Sequence, residues 1–127
     1  MSSTWTDGEL SRIGGATEVQ VTSRRPDGSL RPYVTIWGVR SGSGFYVRSA
    51  YGPQNGWFRR AAGADGGRIR AGGIERDVSF EPLDPGSPLQ DDIDAAYHAK
   101  YDSYGPKIVG SVVGPAAASV TLQVLPR

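Results

Sequence analysis

Apolar and polar side chains alternate along much of this chain, and period two predicts strands. Over residues 18–23, Val19 and Val21 fall on one face. Over 32–40, Tyr33, Thr35, Trp37 and Val39 share one face and Val34 and Ile36 the other, which predicts a central strand with apolar contacts on both sides. Residues 45–50 place Phe45, Val47 and Ser49 together. Pro26-Asp27-Gly28 and Ser41-Gly42-Ser43-Gly44 read as turns between these three strands, so they form an antiparallel meander. Residues 67–71 and 74–81 add two strands joined at Gly72-Gly73, a hairpin signal, with Ile74, Val78 and Phe80 on one face. Residues 116–125, with Val120, Leu122 and Val124 alternating, predict a last strand that closes a barrel.

Helical signals are fewer. Thr6 and Glu9 make a T-x-x-E capping box ahead of a helix over 5–15, with Trp5 and Leu10 at the positions of a hydrophobic staple and Gly14-Gly15 as the stop. A short helix is predicted over 56–62, with Asn55 as its N-cap. After the loop PLDPGSP comes the longest helix. Ser87 is its predicted N-cap, Pro88 its first helical residue, and Gln90 completes S-x-x-Q. Asp91, Asp92 and Asp94 suit the positive end of the helix dipole. Ile93, Ala96, Tyr97, Tyr101 and Tyr104 line one side, and Gly105-Pro106 ends the helix. Ile108, Val109, Val112 and Val113 suggest a further helical turn. The predicted fold is mainly β: a six-stranded antiparallel barrel with flanking helices, one domain over residues 1–127.

Composition narrows the setting. Only 38% of the 127 residues are hydrophobic, enough for one core and not two. The absence of cysteine excludes disulfides and thiolate metal sites and fits a reducing cytoplasm. The first ten residues lack the basic and apolar segments of a leader, and no apolar run approaches the roughly 20 residues of a membrane span, so no membrane association is expected. The net charge of +1 is unevenly spread: −2 over residues 1–23, +7 over 24–76 and −4 over 77–127. Residues 22–60 hold Arg24, Arg25, Arg31, Arg40, Arg48, Arg59 and Arg60 against the single acid Asp27. Such a middle segment fits a bound anion, self-complementary association of two chains, or simple surface neutralisation. Arginine in particular suits bidentate phosphate contact.

Side-chain catalysts are hard to find. The lone histidine, His98, falls off the apolar face of its helix, and no spacing suggests zinc. There is no P-loop and no dinucleotide-binding fingerprint. Basic and aromatic residues interleave between 24 and 60, but the near-zero net charge and the core-like alternation of the aromatics argue against nucleic acid. Chemistry, if any, falls to a bound cofactor.

Five strings carry a resemblance over the whole chain: W-T-x-x-E-L at 5–10, P-Y-V-T-I-W-G-V-R at 32–40, Y-V-R-S at 46–49, G-W-F-R-R-A at 56–61 and I-D-A-A-Y-H-A-K-Y at 93–101. The chain resembles a family of small bacterial proteins of unknown function. That family is similar to the flavin-binding split β-barrels, nearest to the deazaflavin-dependent nitroreductases. The resemblance implies a six-stranded antiparallel split β-barrel of the FMN-binding type, a homodimer, and an FMN or deazaflavin coenzyme from which hydride passes directly to a small organic acceptor. By the same resemblance Arg24, Arg25 and Arg31 approach the cofactor phosphate. Ser49, Tyr51 and Gly52 lie near its ring system, partly through backbone N–H groups, and Trp57 walls the pocket or orients the loop. Tyr51 and Tyr97 are the side chains named for any proton transfer. Two departures stand out: Tyr51 occupies a position where the relatives carry glycine, and Phe58-Arg59-Arg60 replaces their Asn-Leu pair after the tryptophan. The competing reading is a cofactor-free barrel that binds a small ligand or a partner protein, its interior filled by Trp37, Trp57 and the tyrosines.

Overall fold

The computed structural model describes residues 4–50, 52, 56–64 and 66–127. Its seven strands are β1 (Val19–Ser23), β2 (Val34–Ile36), β3 (Gly38–Ser41), β4 (Gly44–Arg48), β5 (Gly67–Ala71), β6 (Ile74–Pro82) and β7 (Thr121–Pro126). They form one antiparallel sheet in the order β2-β1-β5-β6-β7-β4-β3. β2 and β3 are separated only by Trp37 in the chain, yet they stand at opposite edges of the sheet. The sheet therefore curls until its two edges meet at one interrupted strand, and the barrel is nearly closed.

This interruption is why seven strands are found where six are predicted. The run over 32–40 breaks at Trp37-Gly38, its first half pairing with β1 and its second with β4. Gly38 permits the corner: a Cβ there would lie 2.6 Å from a ring carbon of Phe45 and 3.2 Å from Val47. The last strand also begins later than predicted. Pro115 opens a helical turn, α5 (Pro115–Ala118), so β7 starts only at Thr121.

Alternation sorts the strand residues as period two demands. Val19, Val21, Phe45, Val47, Ile69, Val78, Leu122 and Val124 fill the barrel. Trp5, with Leu10 and Ile13 of α1 (Asp7–Gly15), extends that core, as do Trp57 and Ala61 of α2 (Gly56–Gly63). The capping box at the start of α1 forms as expected. Glu9 N–H donates to Thr6 Oγ1 (3.1 Å) and Thr6 N–H to Glu9 Oε1 (3.0 Å), while Trp5 Nε1 donates to Val124 O at 2.8 Å. The N-cap proposed at Asn55 lies outside the described residues. At the β5–β6 hairpin Gly72 and Gly73 both take positive φ (56° and 82°), the geometry of the tight turn expected there.

Contrary to the single core expected from composition, a second, smaller cluster lies outside β3 and β4, where Val39 and Tyr46 meet Ile93, Tyr97 and Tyr101 of α3 (Leu89–Tyr101), Val109 of α4 (Pro106–Val109) and Val112. Helix α3 begins one residue later than predicted, with Pro88 as its N-cap; Ser87 Oγ still accepts Leu89 N–H at 3.2 Å. It ends at Tyr101, and a 3₁₀ turn (Asp102–Tyr104) carries Tyr104 to 49% exposure. His98 is exposed and 2.8 Å from Asp102, consistent with its place off the apolar face. No described helix is long and apolar enough to cross a membrane.

Helix α3 also serves the break in the barrel. Tyr97 OH donates to Trp37 O (3.2 Å), Tyr101 OH accepts Gly38 N–H (3.3 Å) and donates to Thr17 O (2.7 Å), and Lys100 Nζ donates to Gly38 O (2.6 Å). The rings of Trp37 and Tyr101 stack at 4.0 Å with 7° between planes.

Two measurements test this arrangement. Tyr101→Phe removes the hydroxyl that serves both Gly38 N–H and Thr17 O, and is expected to lower unfolding free energy in urea by about 1–3 kcal/mol. The second concerns pH. Burial pushes Lys100 from 10.5 down to about 8. Between those values the unfolded chain binds more protons than the folded one, so this group makes stability rise with pH across that window. Tyr97 and Tyr101, pushed upward by burial, act in the opposite sense only above pH 10, their ordinary value. The stability of the wild type relative to Lys100→Met should therefore climb between about pH 8 and 10.

Candidate functional site

A trough of about 710 Å³ opens beside the interrupted strand. Val34, Thr35 and Ile36 of β2 and the following Trp37 form one wall. Trp57 of α2, Ala50 and Val112 add apolar surface, and Lys107, Ile108 and Ser111 complete the lining with Arg48. Trp57 is nearly buried and meets Phe58 edge to face at 6.0 Å.

Arg48 is the polar centre behind this trough. Its side chain is fully buried, and every N–H is committed. Nε donates to Thr121 Oγ1 (2.9 Å), one terminal nitrogen to Asp94 and to Val112 O (2.8 Å), and the other to Gln90 Oε1 (2.7 Å) and Gln90 O (3.4 Å). Its guanidinium lies 5.5 Å from the Tyr97 ring centroid. The two helix residues read from sequence as capping and dipole groups are used here instead. Gln90 is buried, its amide nitrogen donating to Asp84 O (3.2 Å) and Ala118 O (3.1 Å), and Asp94 takes Arg48 and Gly114 N–H (3.3 Å). Tyr97, named for proton transfer, does not line the trough; burial raises its pKa and the neighbouring Arg48 charge only partly offsets that.

A second concavity of about 490 Å³ is lined by Arg24, Arg25 and Arg31 of the first hairpin and by Arg59 and Arg60 of α2. The hairpin turn is closed by Gly28 N–H to Arg25 O (2.8 Å), with Gly28 at φ 89°. Asp27 turns its carboxylate onto Ser29, whose N–H and hydroxyl donate to it at 2.9 and 2.6 Å and hold it below the usual carboxylate range. No acid lines this basin among the described residues. Arg24 is paired with Asp77 (3.2 Å) and Gly28 O (3.0 Å). Arg25 reaches Leu30 O (2.9 Å) and Ser29 Oγ (3.3 Å). Arg31 is anchored through its backbone, with Arg31 N–H donating to Ser23 O (3.1 Å) and Thr22 Oγ1 to Arg31 O (2.5 Å). Its side-chain Nε is buried without a hydrogen-bond partner among the described residues.

Between the two spaces lies a small neck of only about 10 Å³ that shares lining with each. Val34 and Trp57 line both neck and trough, and Arg31 and Arg60 line both neck and basin. The residues expected at a cofactor site are thus distributed as follows. Arg24, Arg25 and Arg31 share the basin, and Trp57 stands at its junction with the trough. Ser49 is buried behind the wall, its hydroxyl donating to Gly52 O at 2.6 Å, and neither Ser49 nor Gly52 lines the trough. Tyr51 lies outside the described residues. Arg59 and Arg60 belong to the arginine-rich segment that the sequence fits to an anion, but they, like Trp37 and Lys107, are not among the cofactor contacts the resemblance implies. For Arg60 a signal existed, since it stands three residues after Trp57 on a helix and so shares its side.

Residues 9–124 match the model of a family described as uncharacterized protein conserved in bacteria (DUF2255). No curated protein matches the chain in sequence. Solved structures share its fold. One is an F420 reductase (13% identity, TM-score 0.50, covering 97% of this chain and 94% of that one). Another is a conserved hypothetical protein from Mycobacterium tuberculosis (11%, 0.54, 100% and 84%). A third is a FAD-binding protein from Mesorhizobium loti (17%, 0.51, 98% and 91%). The near-closed antiparallel barrel with flanking helices is the fold that the sequence strings imply.

Arg48→Met should unfold with a loss of about 3 kcal/mol or more, because it takes the buried donor away from the Asp94 carboxylate and from four further acceptors. Asp94→Asn should lose less, since that side chain is 30% exposed and keeps Gly114 N–H. Chemical denaturation of both variants checks the order.

Proposed function

Since the chain belongs to the DUF2255 family of bacterial proteins, whose description assigns no activity, we propose its function from the geometry of the adjoining trough and basin. It binds FMN or a deazaflavin coenzyme, the ring system in the trough and the phosphate-bearing end in the basin, and serves as an oxidoreductase that passes hydride to a small organic acceptor. The observation that carries this reading is the buried, unpartnered Nε of Arg31 at the neck, between an aromatic-walled space and a cluster of arginines whose described lining contains no acid. A buried N–H without an acceptor is destabilising, and a phosphate oxygen is a fitting acceptor for it. The donor set fits the group: Arg25, Arg31, Arg59 and Arg60 supply planar charged donors, while Arg24 is already held by Asp77. The fold shared with an F420 reductase and a FAD-binding protein supports the same class of ligand.

When bound, such a cofactor supplies the two-electron chemistry that no side chain lining the trough provides. The protein's own part is positioning and electrostatics. Val34, Ile36, Trp37 and Val112 exclude water from the ring, and Trp57 fixes where ring space ends and anion space begins.

Titration of FMN and of the deazaflavin coenzyme, followed by fluorescence, tests the proposal. Binding of one of them at or below tens of micromolar is expected, roughly 6–7 kcal/mol of binding free energy. Arg25→Ala and Arg31→Ala should each weaken it by about tenfold or more, the loss of a charged hydrogen bond. If neither compound binds, the oxidoreductase reading fails. Undiminished affinity in Arg31→Ala would refute the phosphate assignment alone.

A further inference from the structure

The trough carries a second anion-seeking group that the cofactor reading leaves unused. Among the described residues no acid lines it, and of its two cations Arg48 has every donor spent within the protein. Lys107, the second residue of α4, makes no ion pair or hydrogen bond with any described residue. It lines the trough but not the neck, so it belongs to a wall apart from the arginine basin. Beside it stands Ile108, 53% exposed, one of the few large apolar side chains left open to water. The same lining includes Trp37, whose ring is stacked on Tyr101. Ser111 offers no donor here, because its hydroxyl is turned back on Ile108 O at 2.6 Å.

An uncommitted ammonium beside an exposed isoleucine and a fixed indole suits a flat apolar body with one negative end. The trough's volume falls in the upper part of the roughly 300–1,000 Å³ range of small-molecule sites, which leaves room beyond one ring system. Resting on the cofactor reading above, we propose that the acceptor is an aromatic or apolar monocarboxylate, its body against Trp37 and Ile108 and its carboxylate on Lys107. The arginine basin, a separate concavity whose lining does not include Lys107, is reserved for the cofactor's own anion.

The test is made on the protein without cofactor, so that it stands apart from the cofactor titration. Binding of 2-naphthoate and of 2-naphthylmethanol, equal in ring and different in charge, is measured by calorimetry. The carboxylate should bind about fivefold tighter than the alcohol, the size of an exposed ion pair. Lys107→Met should bring the carboxylate down to the level of the alcohol and leave the alcohol unchanged. Ile108→Ser should weaken both compounds alike. Equal affinities in the wild type would overturn the proposal. So would a preference that survives Lys107→Met and disappears in Arg31→Ala, which would put the carboxylate in the basin. Lys107→Met should also retain wild-type affinity for whichever of FMN or the deazaflavin coenzyme binds, and a loss there would likewise overturn the separate acceptor site.

Discussion

One strand serves both edges of this sheet, and it does so only because it breaks at Trp37-Gly38. A continuous strand would present one register to β1 and β4 alike. The break lets the two halves choose separately, and it exposes peptide groups at the corner that need partners. Helix α3 supplies them through Tyr97, Lys100 and Tyr101. The helix is therefore fixed by directional bonds and by the apolar contact of Ile93. The position of the trough follows. Trp37 forms its wall because it sits at the break, and the segment after α4 borders it because Arg48 holds both α3, through Asp94 and Gln90, and the backbone of Val112.

The arginines divide into two physical kinds that a count of charges cannot separate. Arg48 is desolvated and fully satisfied, so its charge fixes how β4, α3 and β7 fit together and is closed to ligands. Removing one member of such a set leaves the others buried without partners, which is why the set acts as a unit. Arg31, Arg59 and Arg60 border a concavity with no opposing acid among the described residues. Arg31 in particular keeps a buried N–H unpaired. Charges gathered without neutralisation raise the local potential for an anion. Asp27, the one acid in that part of the sequence, turns its carboxylate onto Ser29 and does not line the basin, although its charge acts on Arg25.

Features governed by neighbours in sequence were legible: the alternation of Val19 and Val21, the Thr6–Glu9 box, and the Gly72-Gly73 turn each depend on residues within a few positions. What was not legible depends on partners far along the chain. Periodicity over 32–40 says that both faces are apolar, and it cannot say that the two halves pair at opposite edges. Gln90 fits a capping box by spacing, but its amide is taken by Arg48, Asp84 and Ala118. Asp94 fits the helix dipole equally well until the buried guanidinium beside it is known. For the site, the hairpin arginines could be grouped from sequence because one turn carries them. Arg59 and Arg60 join them only through the packing of α2 on β1.

The string over 93–101 is the most specific of those that carry the resemblance, and its geometry bears on where chemistry can reside. Ile93, Asp94, Tyr97, Lys100 and Tyr101 recur at spacings of three and four, so they share one side of α3 and point at the barrel. Each has a structural task there: core contact, the ion pair with Arg48, and the three bonds to the broken strand. For Tyr97 to deliver a proton it would have to give up Trp37 O and leave a wall it does not breach. Its burial, by raising the pKa, opposes ionisation at neutral pH. A tyrosine so placed is a fastening. The most specific string thus builds the trough and supplies none of its reactivity. The groups left free to meet a ligand are the uncommitted cations around the cavity, and cations of this kind bind and orient anions without themselves carrying electrons.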